Sequence, residues 1–214
     1  MSNRGCLILW VFLALAGNLK PAFAQPPALL VRIYDDADLK PKAFHELASR
    51  TQEILVHTGL SVEVEACQKD LSPCEGSDGS PSARQVIVRV LAGDAKTMKY
   101  KLRPPLGQAF TDADGGTCAS VFLGRVQKAA NDVGVPWITV LSYAAAHEIG
   151  HLLLGKDSHT PSGLMKANWD RKDLRAMDEC NLYFSSDQAR KLASQYGGVR
   201  QTVASAEASL PSRQ

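Results

Sequence analysis

Residues 144–165 read AAAHEIGHLLLGKDSHTPSGLM, and the remainder of the chain is best understood from this stretch outward. On a helix, His147 and His151 stand four residues apart, so both imidazoles project from one face and can hold one metal ion between them. Glu148 directly follows the first histidine, a position that suits a base acting on a metal-bound water rather than a third ligand. The helix has independent support, because 140–154 is rich in Ala, Leu and Ile, contains no proline and has one interior glycine, Gly150. Gly155 is placed to stop it, since glycine just past the last apolar turn readily takes the left-handed conformation that turns a chain back.

That reversal matters for the chemistry. Zinc favours four tetrahedral ligands, and a catalytic site takes three from the protein and leaves the fourth for water. His159 is the candidate third ligand. Two histidines on an alanine-rich helix, taken alone, are equally consistent with packing; the third histidine and the glycine turn move the balance to metal binding.

The run HEIGHLLLG, then SH, then GLM resembles the metzincin clan of zinc metallopeptidases, whose extended motif is HExxHxxGxxH followed by a methionine turn. The match is offset. Gly155 comes one residue late and His159 two, so Leu154 and Asp157 stand at the clan's spacing for the glycine and the third ligand. Asp157 is therefore the rival ligand. His159 is preferred because a later glycine also delays the helix end and leaves a loop long enough to bring His159 back under the metal. A neutral imidazole also leaves the zinc a stronger pull on its water than a carboxylate would.

The resemblance implies an α+β, zincin-like fold: a small twisted mixed sheet, an active-site helix and a short helical C-terminal subdomain. It implies one catalytic zinc ion on His147, His151 and His159, Glu148 as general base in peptide-bond hydrolysis, and Met165 as an apolar floor, with Trp169 nearby. The strand at 117–123 would be the sheet edge on which a polypeptide substrate adds as a further strand, making Ser120, Val121 and Phe122 the peptide-facing candidates, with plain alternation of core and surface residues the equal alternative. Two other classes stay open, a catalytically inactive zinc-binding or peptide-binding relative and a structural domain without metal.

The start of the chain carries Arg4, the apolar run 7–16 and Ala22-Phe23-Ala24 before Gln25, the pattern of a secretory signal peptide over residues 1–24. The apolar run is too short to span a bilayer comfortably. Cleavage after Ala24 removes Cys6, Arg4 and Lys20 and leaves 22 basic against 22 acidic residues. That balance gives no reason to expect nucleic acid or an anionic membrane as partner. The expectation is a secreted or periplasmic monomer without stable membrane insertion, one domain over residues 25–198 and a flexible, small-residue tail over 199–214.

Four cysteines remain, Cys67, Cys74, Cys118 and Cys180, an even number suited to an oxidising compartment. Of three pairings, Cys67 with Cys74 and Cys118 with Cys180 are favoured. Strands are expected at 29–34, 61–66 and 85–91, with a helix over 41–57 joining the first two as a parallel pair. A basic but alternating stretch, 96–103, reads as a hairpin arm. The segment 107–116, with Asp112 and Asp114, lacks the spacing of a calcium loop and reads as a flexible turn. A helical or irregular bridge is expected at 124–135, and helices at 174–177 and 186–196. His45 and His57, remote from the motif, read as surface or packing residues.

Overall fold

The computed structural model describes residues 28–67, 83–93, 104–112 and 115–197. The expected signal peptide, Cys74, the 96–103 arm, Asp114 and the tail lie outside the described residues. Ten elements follow in order: β1 (Leu29–Asp36), α1 (Pro41–Val56), β2 (Val62–Cys67), β3 (Arg84–Leu91), β4 (Gly107–Asp112), β5 (Gly115–Phe122), α2 (Leu123–Val133), α3 (Trp137–Leu154), α4 (Arg171–Asp178) and α5 (Ser186–Tyr196). The fold is α+β, and the described residues form five helices and one five-stranded mixed sheet ordered β2-β1-β3-β5-β4.

β1 opens on the apolar residues Leu29, Leu30 and Val31 and ends at Asp36; the carboxylate of the neighbouring Asp35 accepts the Ala37 and Leu39 amides at 2.8 and 2.7 Å. That side-chain turn redirects the chain into α1, where Pro41 opens the helix and Phe44, Leu47, Ala48, Thr51 and Leu55 form its buried face. The chain returns as β2, parallel to β1 as expected. β3 pairs parallel with the other side of β1, and β5 parallel with β3.

Alternate residues of the parallel strands point to one side of the sheet. Leu29, Val31, Ile33, Val86, Val88, Val90, Ala119 and Val121 are all fully buried there, under α3, which packs on β5 and β4, and α1, which packs on β2 and α3. The other side carries Arg32 bonded to Glu65 at 3.1 Å and Arg89 to Asp36 at 2.6 Å. Phe110 of β4 is 58 % exposed.

Two expectations fail here. The segment read as a flexible turn contains β4, which pairs antiparallel with β5 and forms the edge of the sheet. β5 is consequently interior, and Ser120, Val121 and Phe122 are buried rather than presented to a peptide. A close approach explains why the glycines did not make a loop: a Cβ on Gly116 would stand 2.1 Å from the Phe110 carbonyl oxygen, beside the register shift between Phe110 and Thr111. The second failure is the pairing of Cys118 with Cys180. Both are free thiols, for Cys118 sits in β5 opposite Ile87 and Phe110 while Cys180 lies past α4 in a small cavity with Arg50 and Ile54 of α1.

α4 exceeds its expected length because Asp170 and Asp173 form a reciprocal capping box at its start. Among the described residues, no helix is long and apolar enough to cross a membrane.

Candidate metal centre

Every residue of α3 from Ile138 to Leu153 is buried, as expected for a helix apolar on all sides and packed in a core. Within it His147, Glu148 and His151 are only 8, 7 and 9 % exposed. Polar groups so placed are tolerated when they are neutral or fully hydrogen-bonded. Burial lowers the His147 pKa to about 3, against a smaller raising effect of its hydrogen bond to Leu164; the neighbouring His151 and His159 lower it further. His151 is lowered by burial and then by His159. Both rings are therefore neutral at ordinary pH, the form in which imidazole binds a metal.

The His147 tautomer follows from its partner. His147 Nδ1 lies 2.8 Å from the Leu164 carbonyl oxygen, which can only accept, so the ring proton is on Nδ1 and Nε2 carries a lone pair. His151 Nδ1 faces Ser158 Oγ at 3.0 Å and the Gly155 oxygen at 3.5 Å. The Nε2 atoms are thereby directed inward: His151 Nε2 is 3.1 Å from His147 Nε2 and 3.1 Å from His159 Nε2. With the His151 proton on Nδ1, its Nε2 also presents a lone pair to this point, and a cation there would satisfy the converging nitrogens. Zinc–nitrogen bonds of about 2.0–2.1 Å in a tetrahedron separate ligand nitrogens by about 3.3 Å, so the donor set fits zinc. The ligand atoms of the three histidines all lie within 4.8 Å of one another, and the trio can hold a metal ion. Asp157, the rival from sequence, is exposed and outside this group.

The loop that carries His159 starts at Gly155, whose amide donates to His151 O at 2.9 Å. Gly155 has φ 92° and ψ 172°, a positive-φ conformation that is essentially glycine's alone but more extended than the left-handed helical cap anticipated. Farther on, the Thr160 amide bonds Met165 O at 2.9 Å and the Leu164 amide bonds Tyr183 O at 2.7 Å. Leu164 is thus held from behind while its carbonyl receives both His147 and, at 3.1 Å, Trp169 Nε1. The Trp169 ring stands edge-on to His147 with centroids 5.2 Å apart. Met165 is fully buried and packs against Gly150, where a Cβ would meet its sulfur at 2.4 Å. The interior glycine of the motif helix is the space in which that methionine sits.

Glu148 faces the sheet edge. A Cβ on Gly107 would fall 2.6 Å from its Cγ and Oε1, so β4 approaches this side chain by its bare backbone. Burial raises the Glu148 pKa to about 8, opposed by a hydrogen bond from the Ala109 amide. The entry to β4 is pinned in turn by Arg125, which is 5 % exposed, donates to Pro105 O at 2.6 Å and stacks 4.3 Å from the Phe122 ring centroid. At the far end of α3, Arg84 donates to Leu152 O at 3.0 Å, placing a cation where the helix leaves carbonyls unpaired.

Sequence reading did not find Gly107, Ala109, Ser158 or the Leu164 carbonyl. Gly107 had a signal, an isolated glycine in an alternating stretch, which marks close backbone approach. Ser158 stands beside a candidate ligand, where outer partners of metal histidines are common. Backbone amides and carbonyls leave no trace in side-chain identity. His45 and His57 lie on or next to α1, outside the histidine group.

No protein-family model matches the chain, and no curated protein does. Among solved structures it is similar to a zinc-dependent peptidase from Methanocorpusculum labreanum (strain Z), with 15 % identity over 76 % of this chain and 99 % of that one, at a TM-score of 0.51. Identity this low speaks for the fold alone: the sheet and helices around the three histidines follow an architecture that a zinc-dependent peptidase also has.

Proposed function

We propose that this chain is a secreted, monomeric, metzincin-like peptidase of zincin-like fold that cleaves polypeptides, with residues 1–24 directing export and one zinc ion held by His147, His151 and His159. The observation that carries the reading is the convergence of three imidazole nitrogens beside a buried carboxylate, next to a sheet edge. Bound there, zinc supplies Lewis acidity toward a carbonyl oxygen and toward water. The remaining work belongs to the chain's own groups. Glu148 removes a proton from the attacking water and returns it to the leaving amine. The Ala109 amide, hydrogen-bonded to Glu148, orients its carboxylate. β4, the antiparallel edge strand, offers main-chain groups for a substrate backbone to pair with.

The test is a peptide-library digest by the mature protein reconstituted with zinc, run alongside Glu148→Gln. Cleavage by the wild type is expected, together with a loss of about 10²–10⁴-fold in the variant at unchanged zinc stoichiometry. Wild-type protein that takes up zinc and binds peptides without cutting any would establish the inactive, peptide-binding alternative. Loss of zinc from a folded Glu148→Gln would show that Glu148 is a ligand and not the base.

A further inference from the structure

We propose that Gln188, on α5 and 29 residues from the third histidine in sequence, is a positioning residue for the metal centre: it holds the loop that sets both His151 and His159. The inference rests on the ligand reading above and extends it to a part of the chain that carries no ligand.

From Lys156 to His159 the loop has one main-chain hydrogen bond among the described residues, the one that Ser158 O accepts from Gln188 Nε2 at 2.8 Å. Ser158 acts at two points. Its Oγ lies 3.0 Å from His151 Nδ1, which fixes the plane of that ring, and its carbonyl is the acyl half of the peptide bond leading into His159. A helix presets His147 and His151, but nothing in a helix presets His159, whose ring must be delivered to within 3.1 Å of His151 Nε2 by an exposed loop. Gln188 anchors that loop to the folded body through α5.

The anchor is itself immobilised. Gln188 Oε1 accepts the Ser185 amide at 3.1 Å, and Ser185 Oγ accepts the Gln188 amide at 3.3 Å, the reciprocal capping box of α5. Both ends of the carboxamide are therefore engaged, the oxygen in capping and the NH₂ in holding Ser158. An amide does both; a carboxylate at this position keeps the cap, which favours Glu as readily as Gln, but has no proton to give a carbonyl.

That separation supplies the experiment, on the mature protein. Gln188→Glu should leave the thermal unfolding of the metal-free protein close to wild type. Zinc affinity, measured by chelator competition, should fall by about 10–100-fold, as expected when an outer partner of a ligand is lost. The visible spectrum of bound cobalt(II) should change with it. Gln188→Met, uncharged, should weaken zinc in the same way, which excludes the added negative charge as the cause and serves as the test if Gln188→Glu does not fold. Ser185→Ala should do the reverse, lowering the thermal midpoint of the metal-free protein as a lost cap does with zinc affinity unchanged. Gln188→Glu and Gln188→Met that bind zinc within twofold of wild type, with an unaltered cobalt spectrum, overturn the proposal. Wild-type protein that takes up no zinc overturns the functional reading and this inference together, and is recognised before any variant is made.

Discussion

The three histidines reach one point by two different routes. His147 and His151 come from α3, whose residues 138–153 are all buried; their spacing is guaranteed by helix geometry and their rings are locked by carbonyl and hydroxyl partners. His159 comes from an exposed loop whose course depends on a glycine with positive φ and a few side-chain hydrogen bonds. For a metal ion held by this trio, affinity would have a part fixed by the helix and a part adjustable through the loop and its supports.

The largest effect that sharpens this contrast is ligand removal. His151→Ala and His159→Ala should each weaken zinc by more than the ~10–100-fold that loss of an outer partner brings, with His151→Ala the more damaging because it also strips Ser158 of its partner. Asp157→Ala should leave zinc binding unchanged. Chelator competition, with circular dichroism to confirm folding, measures all three. A folded Asp157→Ala that loses zinc while His159→Ala keeps it would reverse the assignment and reinstate the spacing of the resembled clan.

The same contrast accounts for what could be read in the sequence. His147, Glu148 and His151 were legible because one short-range regularity, four residues to a turn, places them together. β1, α1, β2 and β3 were legible as alternating or periodic apolar patterns. β4 was not, because Gly107 and the paired glycines near its end carry turn signals, and only the close approaches to Glu148 and to Phe110 O reveal why glycine is needed there. That misreading moved the sheet edge by one strand and turned the buried residues Ser120–Phe122 into supposed substrate contacts. The expected bond between Cys118 and Cys180 failed for a related reason: an even count of cysteines fixes a parity, whereas proximity is set by a topology that composition does not contain. Gln188 escaped notice because its role depends on a contact across 30 residues.

A second effect, smaller than ligand loss, is a pH dependence of the metal-free protein that comes from the helix side of the comparison. His147 has its pKa lowered from 6.5 to about 3, so the unfolded chain binds a proton between those values that the native chain refuses. Stability from this group is present above pH 6.5 and is lost as pH falls toward 3. Glu148 is raised from 4.5 to about 8 and acts oppositely: the native chain keeps a proton that the unfolded chain releases, so stability present below pH 4.5 is lost as pH rises toward 8. Between 4.5 and 6.5 the two slopes oppose each other. Above 6.5 Glu148 acts alone, for a fall of about 2 kcal/mol up to pH 8 at about 1.4 kcal/mol per unit. Urea unfolding of metal-free protein at pH 6.5 and 8 should show this decline, and Glu148→Gln should abolish it. An equal decline in the variant would assign the effect to other groups.

The smallest expected effect tests whether the loop side and the helix side are in fact pressed together, and it lies at Gly150. Alanine should favour the helix there by about 1 kcal/mol. Its Cβ, however, would stand 2.4 Å from Met165 Sδ, 3.1 Å from Met165 Cε and 2.9 Å from Phe184 Cε1. Overpacking of this kind costs about 1–3 kcal/mol, and because a methionine chain bends more readily than a ring or a backbone, part of the clash relaxes. The net outcome expected for Gly150→Ala is a loss of about 1 kcal/mol, read as a lower urea midpoint at unchanged slope. The sharper measurement is the cycle with Met165→Ala. That single change opens a cavity in a fully buried position and destabilises by about 2–5 kcal/mol, but it also removes the atoms the new Cβ meets. The double variant should therefore be more stable than the two losses added together, by at least about 0.5 kcal/mol, the coupling typical of side chains in contact. Strict additivity would mean that Met165 does not rest on the helix between the two histidines, and the methionine would lose its place as the floor under that turn.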